Sequence, residues 1–381
     1  MEPVKSLSVF LGDRLVGTLA RYETYRTAFQ YAEEWRRTGF SISPLSLPLT
    51  GEVFLSKPDP FDGLFGVFAD SLPDGWGRLL VDRMLLRSGE NPETLGALER
   101  LAIVGSSGMG ALEYRPSHEW KTAVSESDYD ALALSCARIL ASANPGDLAT
   151  LYALGGSSGG ARPKVLVSID GEDWIVKFPS SYDPPDIGRM EYDYMTCARA
   201  CGIAIPEIRL IDSKRCSGYF AVKRFDRALE NGTVRKVHTA TASALLGVSH
   251  RVPALDYLTL LKLTWKLTRD NREVERMYRL MCFNVFSHNR DDHSNNFSFL
   301  CRDGVWTLAP AYDLTYSESF GGEHATTVNG NGKEPGRTDL LAVADRFGLD
   351  RSFAETTADT IQETVSERLS AYSSSSRLIP R

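Results

Sequence analysis

Apolar and polar residues alternate at the start of the chain, in Leu7-Ser8-Val9-Phe10-Leu11 and Leu15-Val16-Gly17-Thr18-Leu19, with Gly12-Asp13-Arg14 as a turn between them. That pattern predicts a β-hairpin. From Tyr25 to Trp35 the apolar spacing fits a helix or a strand equally well, whereas Ile42-Ser43-Pro44-Leu45-Ser46-Leu47-Pro48-Leu49 alternates apolar residues with polar ones or proline. The prolines predict an edge strand or an extended segment there. Residues 60–90 open with Phe61, Leu64, Phe65 and Phe68, pass through Leu72-Pro73-Asp74-Gly75-Trp76-Gly77-Arg78, and predict a helix running to Leu86. Gly105-Ser106-Ser107-Gly108-Met109-Gly110-Ala111-Leu112 predicts a turn and a strand that close a first unit near residue 115.

Further along, Leu132, Cys136, Ile139 and Leu140 share one face of a helix predicted over 126–143, which Asn144-Pro145-Gly146 terminates. A glycine-rich turn, Leu154 to Lys164, then precedes two predicted strands, Val165–Ile169 and Trp174–Phe178, joined by Asp170-Gly171-Glu172-Asp173. A helix from Asp186 to Ala200 aligns Met190, Tyr194, Cys197 and Cys201 at 4-3-4 spacing, and Gly202 ends it. Strands at Glu207–Ile211 and Gly218–Val222 lead into Lys223-Arg224-Phe225-Asp226-Arg227. From residue 255 onward the period becomes helical, over 255–268, 272–287 and beyond 338. A β-rich front and a helical back predict an α+β chain of two lobes, divided as a first β-rich unit (1–115), a region with the glycine-rich turn and four strands (116–227) and a helical lobe (228–381).

Composition narrows the class. The 381 residues are 43% hydrophobic and 24% charged, as expected of a soluble globular protein of roughly two domains. A net charge of -6 and a pI near 5.7 argue against a protein that coats nucleic acid by itself. The six cysteines are scattered without a CxxC pair, and they read as buried thiols of a reducing, cytoplasmic compartment. The first residues lack the apolar core of a leader, and no apolar run approaches the roughly 18 residues of a membrane span.

The chemistry concentrates in His288-Asn289-Arg290-Asp291-Asp292-His293-Ser294-Asn295-Asn296, followed by Tyr312-Asp313. Asp291 and Asn296 stand at the spacing of the catalytic Asp and the metal-binding Asn of a protein-kinase loop, and Asp313 follows as the metal carboxylate that completes the magnesium set. A polar loop capping the preceding helix is the plainer account, but it leaves unexplained the apolar Phe297-Ser298-Phe299-Leu300 and the returning strand Trp306-Thr307-Leu308. Gly155 to Gly160 offers backbone amides that can approach phosphate closely, although such a run also serves as a flexible loop. Lys177, inside an otherwise apolar strand, is placed to hold phosphates or simply to face outward. Glu191 on the next helix is its candidate partner, or an ordinary solvated helical residue. His293 is an orienting or metal-proximal residue, or a structural histidine. A zinc site built on His288, Asp291 and His293 lacks a closed tetrahedral set.

Together these segments resemble the HipA family of serine/threonine kinases, toxins of type II toxin–antitoxin modules, over nearly the whole chain. Val16-Gly17-Thr18-Leu19, Pro44–Leu49, Leu72-Pro73-Asp74 and Gly105–Ala111 are similar to the family's accessory subdomain, Ser157–Lys164 to its phosphate loop, Ala221–Arg227 to its hinge, and Asp291–Ser298 to its catalytic loop. The resemblance implies a bilobal protein-kinase-like fold using ATP and Mg2+. Asp291, with His293 beside it, would be catalytic, and Asn296 and Asp313 would bind metal. Ser157, Ser158, Gly159, Gly160, Ala161, Lys164, Lys177, Lys223 and Phe225 would contact the nucleotide, and Ser157 would be an autophosphorylation site, with Ser158 as its neighbouring alternative. It also implies a protein substrate such as an aminoacyl-tRNA synthetase, a small helix-turn-helix antitoxin, and DNA contact only through that antitoxin, with no membrane association. Asp292 stands where relatives often carry Gly, Pro163 and Lys223 where some carry acidic residues, and the tail after Asp313 is short. Those departures are expected to bear on nucleotide affinity, target choice and the antitoxin-binding surface. A catalytically silent corepressor module and a small-molecule kinase are the competing functions.

Overall fold

A computed structural model describes residues 3–23, 25–118, 128–141, 148–230, 232–318 and 321–373. The expected hairpin is present as β1 (Ser6–Leu11) and β2 (Arg14–Arg21), and β3 (Thr27–Tyr31), β4 (Phe54–Leu55) and β5 (Leu112–Arg115) extend it into an antiparallel sheet of order β4-β3-β2-β1-β5. The ambiguous segment from Tyr25 to Trp35 resolves into β3 and a short helix, Glu33–Thr38. Between Ile42 and Leu49 the chain turns instead of extending: Ser43 and Leu47 form a lone bridge, Ile42 and Leu47 are buried, and the Tyr31 hydroxyl donates to the Leu47 carbonyl at 2.7 Å. Prolines at 44 and 48 remove the donors a ladder needs, so burial wins over pairing.

β6 (Lys164–Ile169), β7 (Glu172–Lys177), β8 (Ile208–Ile211) and β9 (Tyr219–Lys223) form a second antiparallel sheet of order β6-β7-β9-β8. The helix Ile187–Ala200 packs on it and buries Met190, Tyr194 and Cys197, the stripe that its periodicity exposes in the sequence. The helix anticipated over 126–143 spans Tyr129–Leu140, and its expected terminator Asn144-Pro145-Gly146 lies outside the described residues. A second helix, Leu148–Gly155, was not legible, because its apolar residues lack an amphipathic period.

The C-terminal part carries the helices Tyr257–Thr268, Asn271–Phe286, Arg337–Phe347 and Arg351–Arg368, with a small sheet of His238–Thr241, Ser298–Arg302 and Val305–Leu308. A mixed helix and sheet architecture of kinase-like, bilobal form results. Trp76, Leu80, Val81 and Leu85 of the helix Gly75–Arg87 share a core with Val165, Trp174 and Val176 of the second sheet, while β1–β3 share another with the C-terminal helices. Five of the six cysteines are buried, and Cys216 is partly exposed.

Candidate active site

The register of β6 and β7 sets the floor of the cleft. Lys164 lies directly opposite Lys177, so the two side chains leave the sheet side by side. Two adjacent ammonium groups need anions, and the fold brings them. The Lys177 ammonium lies 2.5 Å from the Glu191 carboxylate and also contacts Asp313. Glu191, only 2% exposed, is therefore no solvated helical residue. Burial disfavours the Lys177 charge, but Asp313 and Glu191 outweigh it and raise its pKa to about 12. Lys164, without so close a partner, is pushed below the usual lysine range by burial. Asp313 feels the opposite balance: burial opposes its charge, yet Lys177, Lys164 and Arg162 hold the carboxyl well below the usual range. Its φ of +53° is a left-handed conformation that Asp adopts more readily than most residues, and it follows Tyr312, whose hydroxyl bonds Ser298 at 2.6 Å and also the Asn295 carbonyl.

Asp291 and Asn296 come from the turn between the helix Asn271–Phe286 and the strand Ser298–Arg302. The Asn296 amide nitrogen donates to the Asp291 carbonyl at 2.6 Å, which fixes the turn and directs the amide oxygen elsewhere. The Asp291 carboxylate remains 63% exposed at the cleft mouth. Its pKa is nevertheless raised, first by partial burial, with the charges of Asp313 and Asp292 adding to it against the pull of His293. Such exposure keeps the energetic effect small. His293 stands 3.9 Å from Asp291, with its ring 5.5 Å from that of His250, a residue that no sequence pattern singled out.

Asp292 belongs to a different system. It is 1% exposed and receives the Tyr257 hydroxyl at 2.7 Å, His324 Nδ1 at 2.9 Å and the Thr326 amide at 3.1 Å. Tyr257 in turn accepts from Asn284, which accepts from Asn289. The expectation that Asp292 tunes nucleotide affinity or target choice thus meets a side chain that ties the loop to the helical lobe.

The glycine-rich loop arches from the end of the helix Leu148–Gly155 into β6. Gly159, Gly160 and Ala161 are exposed, whereas the Ser158 hydroxyl is buried and donates to the Gly155 carbonyl at 2.6 Å. Ser157 is half-buried. Of the two hinge residues, Phe225 stacks 5.4 Å from Tyr312, but the Lys223 ammonium is taken by Glu172, with Glu207 at 3.8 Å. Asp226, fully buried between Arg224 and Arg227, receives the Gly110 amide at 2.8 Å and so fastens the accessory turn to the hinge.

Asp313 lies beside Lys177 and Lys164, and Asn296 belongs to the turn that carries Asp291; their hard oxygens are the donor type that suits magnesium held jointly by protein and phosphate. Among the described residues, no three of His, Cys, Asp and Glu converge on one point, so the zinc arrangement has no protein cage.

A two-lobed α+β chain with a lysine–glutamate pair, a glycine-rich loop and an Asp-to-Asn turn facing them is kinase-like in fold. This chain belongs to the HipA family: the HipA-like C-terminal domain matches residues 156–369 and the HipA N-terminal domain residues 7–115. Two Sinorhizobium fredii proteins named as candidate kinases are similar to it. Y4dM is 26% identical, covering 100% of this chain and 94% of its own length, and Y4mE is 28% identical, covering 83% and 78%. HipA of Shewanella oneidensis MR-1, solved with HipB and operator DNA, superposes with a TM-score of 0.73 at 19% identity, covering 98% of this chain and 92% of that one. That likeness shows the fold. Among the described residues, no helix is long and apolar enough to cross a membrane.

Proposed function

We propose that this chain is an ATP- and magnesium-dependent serine/threonine protein kinase of HipA type. The observation that carries the reading is the convergence of Lys177, Glu191 and Asp313, from three distant segments, under the glycine-rich loop and across from Asp291. In this reading Lys177 holds nucleotide phosphates, Glu191 orients it, and Lys164 adds a second positive charge. The exposed loop backbone at Gly159 and Ala161 approaches the phosphates, since the Ser158 and Gly160 amides are already engaged, and the hinge from Lys223 to Phe225 meets the base, with Phe225 rather than the ion-paired Lys223 side chain offering a contact surface. Magnesium, held by Asn296 and Asp313 when bound, neutralises charge on the transferring phosphoryl group.

Asp291 orients the acceptor hydroxyl and accepts its proton as the oxygen bonds to the γ-phosphorus and the β–γ bridging oxygen leaves with ADP. Its raised pKa and open position suit that role. His293 adjusts the charge beside it. Ser157 is the preferred site of autophosphorylation, because the Ser158 hydroxyl is buried and already engaged. The three units, 1–115, 116–227 and 228–381, serve as accessory subdomain, nucleotide lobe and helical lobe. A cytoplasmic protein substrate, such as an aminoacyl-tRNA synthetase, and a small helix-turn-helix antitoxin that brings the kinase to operator DNA follow from the family likeness.

The test is incubation of purified protein with radiolabelled ATP and magnesium, with and without lysate. Labelling of itself or of a lysate protein that Asp291→Ala abolishes is the expected result. Absence of labelling, or identical labelling by Asp291→Ala, overturns the assignment.

A further inference from the structure

An aspartate just before a helix ordinarily turns its carboxylate back onto the amides of the first turn. Asp74, which precedes the helix Gly75–Arg87, does otherwise: among the described residues its carboxylate takes no hydrogen bond from its own helix. It receives instead the backbone N–H of Gly160, at the tip of the glycine-rich loop. The exchange is reciprocal, since the Trp76 amide, one of the donors a helix start leaves free, donates to the Gly160 carbonyl at 3.0 Å. The Trp76 indole N–H adds a third tie, to the Lys164 carbonyl at 3.0 Å where the loop enters β6.

The glycines on either side of Trp76 permit this approach. Gly75 has a φ of +42°, and a Cβ there would lie 2.5 Å from the Gly160 carbonyl oxygen. At Gly77, a Cβ would lie 2.2 Å from the Ser158 carbonyl oxygen. Backbone meets backbone on both sides, so no flexible side chain can yield. Trp76 itself is buried in the core of the nucleotide lobe, which anchors the arrangement.

From this geometry we propose that Asp74, supported by Gly75 and Gly77, is a positioning residue: a latch by which the accessory subdomain holds the glycine-rich loop in its phosphate-ready shape. The proposal rests on the nucleotide-site reading given above. A residue outside both conventional lobes thereby sets how well the loop receives ATP, and any event that frees the loop, including modification at Ser157, must first break the Asp74 and Trp76 bonds. Asp74 acts through the loop and not on the reacting atoms.

The experiment compares full-length wild type with Asp74→Ser, which can still cap its own helix, and Asp74→Asn, which keeps an acceptor of the same length. Amide hydrogen exchange of peptides spanning 155–163 is measured without nucleotide, beside the ATP KM and kcat. A hydrogen bond to a charged acceptor sets the scale, so Asp74→Ser is expected to speed loop exchange about tenfold and raise KM by a similar factor with kcat little changed. Asp74→Asn is expected to restore most of both. Unchanged loop exchange in Asp74→Ser overturns the latch, as does faster exchange spread evenly over the helix 75–87, or a KM that falls. Because exchange is read on the free protein, it decides the latch even if no phosphoryl transfer is found, an outcome that would remove only the kinase assignment.

Discussion

Replacing Asp292 by alanine isolates the part of the Asp291–Asn296 turn that faces the helical lobe. Three buried donors lose their acceptor at once: the Tyr257 hydroxyl at 2.7 Å, His324 Nδ1 at 2.9 Å and the Thr326 amide at 3.1 Å. Each orphaned donor costs about 1–3 kcal/mol, and removal of the buried carboxylate returns part of that by sparing its desolvation. A net loss of about 3–5 kcal/mol follows, in the range found when one partner of a buried charged set is removed. Asp292→Asn keeps one acceptor oxygen but turns an NH2 toward the other donors, so it should lose roughly half as much. Urea unfolding followed by circular dichroism measures the loss, and a fluorescent ATP analogue measures nucleotide affinity in the same samples. A loss under about 1 kcal/mol, together with a tenfold weaker nucleotide affinity, would refute the reasoning, because it would place Asp292 in the nucleotide site.

Other consequences are equally direct. Lys177→Met should abolish phosphoryl transfer and, by leaving buried Glu191 with only the looser Arg162 at 3.9 Å as a cation, destabilise the fold by about 2 kcal/mol; adding Glu191→Gln should recover much of that stability but none of the activity. Mass spectrometry after long incubation with ATP should find phosphate on Ser157 in wild type and in Ser158→Ala, and none in Ser157→Ala; a phosphorylated Ser158 would contradict the buried hydroxyl. His238 is buried against Ile42, Phe40 and Trp306, and burial lowers its pKa to about 4 from an ordinary value near 6.5. The unfolded chain thus binds the extra proton between those values, so the stability His238 contributes is full above about pH 6.5 and is lost as pH falls toward 4. Thermal unfolding at pH 7.5 and pH 5 should therefore show a smaller acid loss for His238→Gln than for wild type.

Local sequence reaches as far as local geometry does. The 4-3-4 stripe of the helix Ile187–Ala200, the alternation of β6 and β7 and the turn between them are visible because one period selects one buried face. Spacing likewise ties Asn296 to Asp291, since five residues close a single turn. The turn at 42–49 departs from the extended segment its alternation predicts, as alternation alone does not say whether a strand has a neighbour to pair with.

Three features of the site arise only in the tertiary structure. Neighbouring residues Asp291 and Asp292 look alike in sequence, but one opens on the cleft and the other is buried against Tyr257, His324 and Thr326. Lys164 and Lys177 become a pair through strand register, and Glu191 and Asp313 become their counter-ions through packing of segments as far as 136 residues apart. Asp74 lies just before the helix Gly75–Arg87, yet its carboxylate receives the Gly160 N–H, a partner 86 residues away that only packing supplies. The sequence by itself determined most of the elements, the spacing of the Asp291–Asn296 turn and the family likeness, because each depends on short-range periods or contiguous motifs. Direction, burial and partner were decided by the fold, because a side chain's environment is made by residues that only long-range packing brings near.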